Sequence, residues 1–328
     1  MTSPTTLLLS GDDVLAMLTP DEVLASQEAA FRLTGHPELF RSGQLHYTGV
    51  AGDSLAFAHG ALAHGRTGFV FKSGVQCPGN SLMGLPTVHA TVTVHDPDSG
   101  EVLGLLNGAA VTALRTAGGV AAAFRRLIGA GSTRLGVFGS GVQALELVRL
   151  VCAVLPIEQC LVWSPRLCGR AGVLDDPAWE GLPVSIARSP QSLCENSNAI
   201  ATCTTSAVPV LSGEWLQPGT TVATMGSYLP ELCEIDLTAS GRADVTVLDS
   251  RGALTAVGPV MAAVAAGRLA VADTVILGDV LDGTTTGRVS SEQIVVFHSN
   301  GLGLQDATLA WAIYSRAADS GRGTRVHL

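Results

Sequence analysis

The stretch Leu135-Gly-Val-Phe-Gly139-Ser-Gly141-Val-Gln-Ala144 restricts the fold more than any other part of the chain. It reads as an apolar strand, a GxGxxA turn and the first turn of an apolar helix. Gly139 permits the tight turn, Gly141 lets the backbone approach a pyrophosphate, and Ala144 permits close packing of helix on strand. The helix N-terminus adds free N–H groups and a positive dipole end. A lone GxGxxG-type match is weak; its place between a strand and a helix, with a second strand at the expected interval, gives this one weight. The plain alternative is a tight strand–helix turn with no ligand.

Beyond this motif, strands alternate with helices, as a parallel sheet requires. The strands are expected at Arg134–Phe138, Cys160–Trp163, Asn198–Thr202, Thr220–Thr224 and Val245–Asp249. An NAD-binding fold usually ends its second strand on a carboxylate for the ribose 2′-hydroxyl. Here that strand ends Trp163-Ser164-Pro165-Arg166, with Arg170 close behind. A hydroxyl with arginines beside it suits a 2′-phosphate, so NADP is favoured and NAD remains possible. The other reading of Arg166 and Arg170 is solvated surface charge.

Before the motif the pattern differs. Thr19-Pro-Asp-Glu22 starts a helix that runs to about Thr34 and stops at Gly35. Between Gln44 and Leu106 come short β-rich runs, with strands expected at Leu55–His59, Gly68–Lys72, Thr87–His95 and Glu101–Leu106. His95-Asp-Pro-Asp-Ser-Gly100 supplies a hairpin turn. An alanine-rich helix follows from Gly108 to Gly129, and a last helix from about Leu304 to Asp319 precedes a polar tail. At 328 residues the chain exceeds one ordinary domain. The fold class expected is α/β, with a Rossmann dinucleotide-binding domain following an α+β first part.

Charge and cysteine content exclude several classes. A formal charge of −9 argues against nucleic-acid or anionic-membrane partners. Met1 to Asp13 lacks the basic start and long apolar run of a secretory signal. Leu145 to Leu155 is too short, and too interrupted by Glu146 and Arg149, to span a bilayer. Seven cysteines without a CxxC pair read as free thiols in a reducing cytoplasm, with no metal site. Of the 19 basic Lys and Arg side chains, Lys72 is the single lysine. It closes the apolar run Gly68-Phe-Val-Phe71, where chance in an arginine-biased composition is the bland explanation.

Several stretches together resemble the ornithine cyclodeaminase/mu-crystallin family. They are Lys72 with Pro78-Gly-Asn80, Gly84-Leu-Pro-Thr-Val88, Asp96-Pro-Asp-Ser-Gly100, Thr112-Ala-Leu-Arg115-Thr-Ala117, Gly139-Ser-Gly-Val-Gln-Ala144, Ser212-Gly-Glu-Trp215 with Pro218-Gly219, and Val296-Phe-His-Ser299 with Gln305-Asp306. The resemblance implies an α+β substrate and dimerisation domain at 1–115 with 304–328, a Rossmann dinucleotide-binding domain at 116–303, a homodimer, and an active site in an interdomain cleft. It implies that Lys72 and Arg115 hold a substrate carboxylate beside the nicotinamide. It also places Thr87, Arg115, Gly139, Gly141, Val142, Gln143, Ser164, Thr202, Thr204 and Met225 at family cofactor contacts. An arginine fork and an ammonium together can bind a carboxylate and fix its distance from a hydride donor. The other reading of Arg115 is a structural salt bridge.

The departures bear on function. A second carboxylate-binding arginine of the family appears here as Gln44, with Arg41 three residues earlier. The family's Met-Pro-Ala stretch becomes His59-Gly60-Ala61, so His59 is either a proton donor or a polar pocket wall. The aspartate that activates water in cyclodeaminases falls at Tyr228, a poor base at neutral pH that can still donate a proton or a hydrogen bond. Three functions therefore compete: an NADPH-dependent reductase of a carboxylate-bearing imine, a cyclodeaminase using NAD catalytically, and a non-catalytic binder of dinucleotide and small ligand. The first needs a hydride donor, a carboxylate clamp and a proton donor, and Lys72, Arg115, Tyr228 and His59 are its candidate catalytic residues. Gln44 and His59 join Lys72 and Arg115 as candidate substrate contacts.

Overall fold

The computed structural model describes residues 5–48, 54–131, 133–167 and 179–327, so Arg170 and Cys168 lie outside the described residues. The chain divides into two compact units, Met1–Arg115 with Leu302–Leu328, and Thr116–Gly301. The cut falls inside one continuous helix.

The first unit opens with β1 (Thr6–Leu9), α1 (Gly11–Met17) and α2 (Pro20–Thr34). Both helices start on a capping box, Ser10 with Asp13 and Thr19 with Glu22, which satisfies donors that the first turn leaves open. Strands β2 (Phe40–Thr48), β3 (Leu55–Ala63), β4 (Phe69–Gln76), β5 (Val88–His95) and β6 (Val102–Asn107) follow, and then α3 (Gly108–Leu127). Along β4 the residues alternate strictly, Val70 and Lys72 buried and Phe69, Phe71 and Val75 exposed. One face of the sheet is therefore covered and the other is open. Gly68 has no room for a side chain, because a Cβ there would lie 2.0 Å from the His95 carbonyl oxygen and 2.6 Å from Trp311.

The second unit carries β7 (Thr133–Phe138), α4 (Val142–Val154), β8 (Ile157–Trp163), β9 (Val184–Ile186), α5 (Pro190–Glu195), β10 (Ala199–Thr202) and β11 (Thr221–Thr224). It continues through α6 (Leu237–Arg242), β12 (Val245–Leu248), α7 (Ala253–Ala256), α8 (Gly258–Ala265), β13 (Thr274–Ile276), α9 (Leu277–Leu281) and β14 (Val295–His298). Its sheet is parallel throughout, in the order β13-β12-β14-β11-β10-β7-β8-β9. Strand order reverses between β7 and β10, so the glycine turn after β7 stands at the topological switch point of a doubly wound sheet. Leu135, Val137, Phe138, Ile200, Val222 and Val296 have no exposure, as strands covered on both faces require.

The chain then returns to the first unit as α10 (Gly303–Ser320) and β15 (Thr324–Val326). That sheet runs β15-β1-β6-β5-β4-β3-β2, antiparallel except where β1 meets β6. Helix α10 packs against α2, β3 and β4. The tail expected as merely polar is a strand, with Thr6 opposite Val326 and Leu8 opposite Thr324. Three residues are too few to show alternation, and the free edge of β1 is what orders them. Strands β1, β13 and β14 were likewise too short to stand out, and β2 begins at Phe40 rather than near Gln44. Among the described residues no helix is long and apolar enough to cross a membrane.

Arg288 ties the end of α3 into the second unit. It donates from Nε to the Leu127 carbonyl at 2.8 Å, from Nη2 to Thr221 Oγ1 at 2.9 Å, and from Nη1 to the Gln293 carbonyl. Replacing it by alanine removes these donations and leaves the Leu127 carbonyl with the Thr221 hydroxyl at 3.2 Å, so Arg288→Ala is expected to cost about 2–3 kcal/mol. The readout is a lower urea midpoint at unchanged slope; an unmoved midpoint would show the anchor to be redundant.

Candidate active site

In the first unit, sheet register places Gln44 opposite His59 and His59 opposite Lys72, so the three share one cross-strand row. Gln44 is exposed at the β2 edge, while Lys72 is only 2% exposed. Helix α10 brings Asp306, also 2% exposed, against this row. The Lys72 ammonium donates to Asp306 Oδ1 at 2.9 Å and to Thr112 Oγ1 at 3.4 Å. Arg115 Nε stands 3.5 Å from the same Oδ1, and His59 Nδ1 stands 3.6 Å from Oδ2. A buried amide pair fixes the start of α10: Gln305 donates to Gln27 Oε1 at 3.1 Å and to the Arg115 carbonyl at 3.3 Å, and Gln27 donates to the Gln305 carbonyl.

Burial and charge act against each other here. Burial drives the Lys72 ammonium down to about 8, against the pull of Asp306, with Arg115 pushing the same way as burial. Burial also pushes the Asp306 carboxyl up, but Lys72 and Arg115 outweigh it and hold the group well below the usual carboxylate range. His59 is lowered by burial more than Asp306 raises it, so its ring is neutral at neutral pH. Two cations against one anion leave a net charge of one positive. That is the charge a single bound carboxylate neutralises, and it is fixed by Asp306, which the sequence reading quoted within a motif but gave no role.

In the second unit the glycine turn has the form expected. Gly139 has φ of +115°, its N–H donates to the Trp163 carbonyl at 2.8 Å, and a Cβ there would lie 2.6 Å from the Cys203 carbonyl oxygen. Gly141 is the N-cap of α4 and supplies no side-chain cap, so the first N–H groups of the helix stay available. Nothing lies within 4 Å of a Cβ built on Gly141, and Gly141 and Val142 are exposed. Open space at uncapped donors fits a pyrophosphate. Gln143 begins the same turn, with its Oε1 buried. Ser164 is 6% exposed at the end of β8, its Oγ accepting from the Arg166 N–H at 3.3 Å, and Arg166 is exposed.

The loops after β10 and β11 hold Thr202, Thr204, Met225 and Tyr228. Thr202 is fully buried, Met225 is 8% exposed, and its N–H donates to the Thr202 carbonyl at 3.1 Å. Both loops are fastened by Glu234, which the sequence reading missed. Its Oε1 accepts from the Thr204 N–H at 2.7 Å and hydroxyl at 2.9 Å; its Oε2 accepts from the Gly226 N–H at 2.8 Å and the Ser227 hydroxyl at 3.3 Å. Tyr228 is half-buried just beyond. Thr87, in the first unit, is exposed, with its carbonyl accepting from the Cys77 N–H at 2.7 Å. The six described cysteines are free, and no cluster of metal-ligating side chains occurs among the described residues.

A doubly wound parallel sheet with a glycine turn at its switch point defines a dinucleotide-binding protein, here joined to a unit with a buried, net-positive cluster. The chain belongs to the ornithine cyclodeaminase/mu-crystallin family, whose pattern it matches over residues 50–321. It is similar to the alanine dehydrogenase of Archaeoglobus fulgidus, 28% identical over 98% of each chain. It is similar to the iminosuccinate reductase of Paracoccus denitrificans, 27% identical over 98% of this chain and 100% of that one. The solved structure of Thermococcus litoralis Δ1-pyrroline-2-carboxylate reductase with NADH and L-proline superposes with a TM-score of 0.91, at 26% identity, over 98% of this chain and 100% of that one.

A single lysine makes the buried pair measurable. In protein labelled only at lysine, the one side-chain amine signal is expected to titrate near pH 8. Asp306→Asn removes the anion that raises it and should move the titration lower still. Because the folded value lies below the ordinary 10.5, the unfolded chain binds the extra proton between the two. Stability therefore rises with pH across that window as far as this group is concerned. A signal titrating near 10.5 would mean that the ammonium is not buried as described.

Proposed function

We propose that this protein is an NAD(P)H-dependent oxidoreductase that reduces a small imine bearing a carboxylate, by ketimine reduction or reductive amination. The observation that carries the reading is the buried cluster in which Lys72 and Arg115 share Asp306 and keep one positive charge in excess. Relatives support it: proteins similar over most of this chain are named Δ1-pyrroline-2-carboxylate reductase and iminosuccinate reductase. In the second unit, Gly139, Gly141, Val142 and Gln143 take the pyrophosphate, and Thr202, Thr204 and Met225 border the nicotinamide half. Thr87 and Arg115 are the remaining cofactor contacts of this reading. Bound there, the reduced dinucleotide supplies the hydride.

The chain's own residues do the rest. Arg115 and Lys72 bind the carboxylate and set the register of the C=N bond. Gln44 and His59 border the same pocket. Tyr228, a neutral phenol where cyclodeaminases hold an aspartate, hydrogen-bonds the substrate but is a weak base. Reduction asks less of such a group than deamination does. NADPH is the preferred donor, because Ser164 replaces the ribose-binding carboxylate and Arg166 follows. A second copy of the chain covers the open sheet face, where Leu45, Tyr47, Phe69, Phe71 and Val75 are each at least 40% exposed.

With NADPH and a cyclic ketimine carboxylate, or a 2-oxo acid plus an amine, absorbance near 340 nm is expected to fall stoichiometrically. Arg115→Ala should lose about tens- to thousands-fold in kcat/KM, the 2–5 kcal/mol of an unpaired bound carboxylate. Ammonia release from ornithine or lysine with catalytic NAD, and no net absorbance change, would show a cyclodeaminase instead. Tight dinucleotide binding with no turnover in either assay would show a binder.

Cofactor choice has its own test. Fluorescence titration is expected to give tighter binding of NADPH than NADH, and Ser164→Asp to reverse the order by repelling the 2′-phosphate. A preference for NADH in the unchanged chain removes the assignment of Ser164 and Arg166.

A further inference from the structure

We propose that His46 and His59 form a proton relay that recharges Lys72 through Asp306 during each reduction, an inference that rests on the reductase reading above. Reduction of an imine consumes a proton with every hydride. The C–H bond forms at carbon, the C=N π electrons pass to nitrogen, and nitrogen takes a proton while the nicotinamide is oxidised. Lys72 is the proton source, and its ammonium lies near neutrality, the range in which a lysine works as acid and base. An ammonium that is 2% exposed cannot be reloaded directly from bulk water.

One chain of titratable groups leads from it to solvent. Lys72 Nζ is 2.9 Å from Asp306 Oδ1, Asp306 Oδ2 is 3.6 Å from His59 Nδ1, and His59 Nε2 is 3.3 Å from Nε2 of the exposed His46. Each bridging group uses a different atom on each side, as a relay requires. The other exits fail. The Thr112 hydroxyl donates to the Gly108 carbonyl at 2.7 Å, which ends that path. The Arg115 guanidinium has donors and no acceptor, so it passes no proton on. Phe57 screens the remaining side, its ring 5.8 Å from Lys72 Nζ and 5.4 Å from the His59 ring. The groups facing His59 are thus Lys72 from β4, Arg115 from α3, Asp306 from α10 and His46 from β2.

In the step itself, an N–H bond of Lys72 breaks as its proton joins the imine nitrogen. His46 passes a proton to His59 Nε2, and the imidazolium then gives its Nδ1 proton to Asp306 Oδ2, which has lost a cationic neighbour now that Lys72 is a neutral amine. The carboxyl turns that proton to the Lys72 amine and is a carboxylate again, while His46 takes a proton from water. The 3.6 Å link tightens as substrate binds, as catalytic hydrogen bonds commonly do. Asp306, His59 and His46 act here as positioning and relay residues, and Lys72 is the member of the chain that gives its proton to the substrate.

The test is kinetic, with a cyclic ketimine carboxylate and NADPH. His46→Gln and His59→Gln are each expected to lower kcat about tenfold or more with KM within about twofold. The solvent deuterium isotope effect on kcat should grow, and added free imidazole should restore the rate. Wild-type kcat and isotope effect in both histidine variants would overturn the relay and leave the reductase reading intact. If the unchanged chain reduces no ketimine, that reading fails, and the relay is judged by ring titration in histidine-labelled protein. Lys72→Met should then raise the His59 titration, and His46→Gln should shift it. A His59 ring unmoved by both overturns the connection.

Discussion

Asp306 lies out of water with one oxygen on Lys72 and the other toward His59, and much of the first unit is arranged to make that tolerable. Burying a carboxylate costs several kcal/mol, and only close cations offset it. Three parts of the chain supply the surroundings: β3 and β4 with His59 and Lys72, α3 with Arg115, and α10 with the carboxylate. Lys72 and Asp306 are 234 residues apart, so the pair forms only when the chain returns from the second unit. The Gln27–Gln305 amide pair beside it holds the turn of α10 in place. Removing one member of such a group strands the others, at about 3–5 kcal/mol. Fold and site therefore rest on one cluster.

The second unit solves a similar problem by other means. Glu234 has no exposure, yet the atoms within hydrogen-bond reach of its oxygens are N–H and O–H donors from Thr204, Gly226 and Ser227. Dipoles compensate burial less completely than whole charges do. Burial pushes the Glu234 carboxyl up to about 7 against those donors, whereas cations hold Asp306 far below the usual range. The difference suits their places. A carboxylate among cations sets a net charge for a ligand to neutralise. A carboxylate among backbone N–H groups joins the ends of β10 and β11, and so fixes the loops that carry Thr204, Met225 and Tyr228.

How much of this was legible in the sequence follows from the range of each interaction. The glycine turn is local: Gly139 needs φ of +115° for reasons within a few residues, so its pattern announces itself. The capping box at Thr19 and the helix to Thr34 are local too and lie where the pattern put them. Strand β4 alternates by twos in burial, but Phe69 and Phe71 make both its faces apolar, so the sequence set Lys72 apart only as the single lysine closing an apolar run. Strands β1, β13, β14 and β15 hold three or four residues each and are ordered by neighbours far away in sequence. Asp306 and Glu234 were illegible for that same reason. Asp306 is one acid in an apolar stretch and Glu234 stands between Glu231 and Asp236, and nothing nearby says that either points inward rather than to solvent. The signal was the mismatch itself, Asp306 beside Leu304, Ala307, Leu309 and Ala310 on a buried helix face.

A chain that otherwise uses arginine for its basic side chains keeps an ammonium at position 72, and the geometry gives a reason. Guanidinium would satisfy Asp306 at least as well, because a planar fork matches a carboxylate. It would not release a proton near neutral pH, since its pKa stays above about 12. A guanidinium already stands beside Asp306 at Arg115. A second permanent charge adds attraction but no chemistry, whereas an ammonium lowered to about 8 can give up its proton and take it back. The lowering itself needs all three neighbours: burial to favour the neutral amine, Arg115 to push the same way, and Asp306 to stop the shift before the charge is lost altogether. Charge balance and proton exchange are thus set by one arrangement, in which each cation has the side chain its task requires.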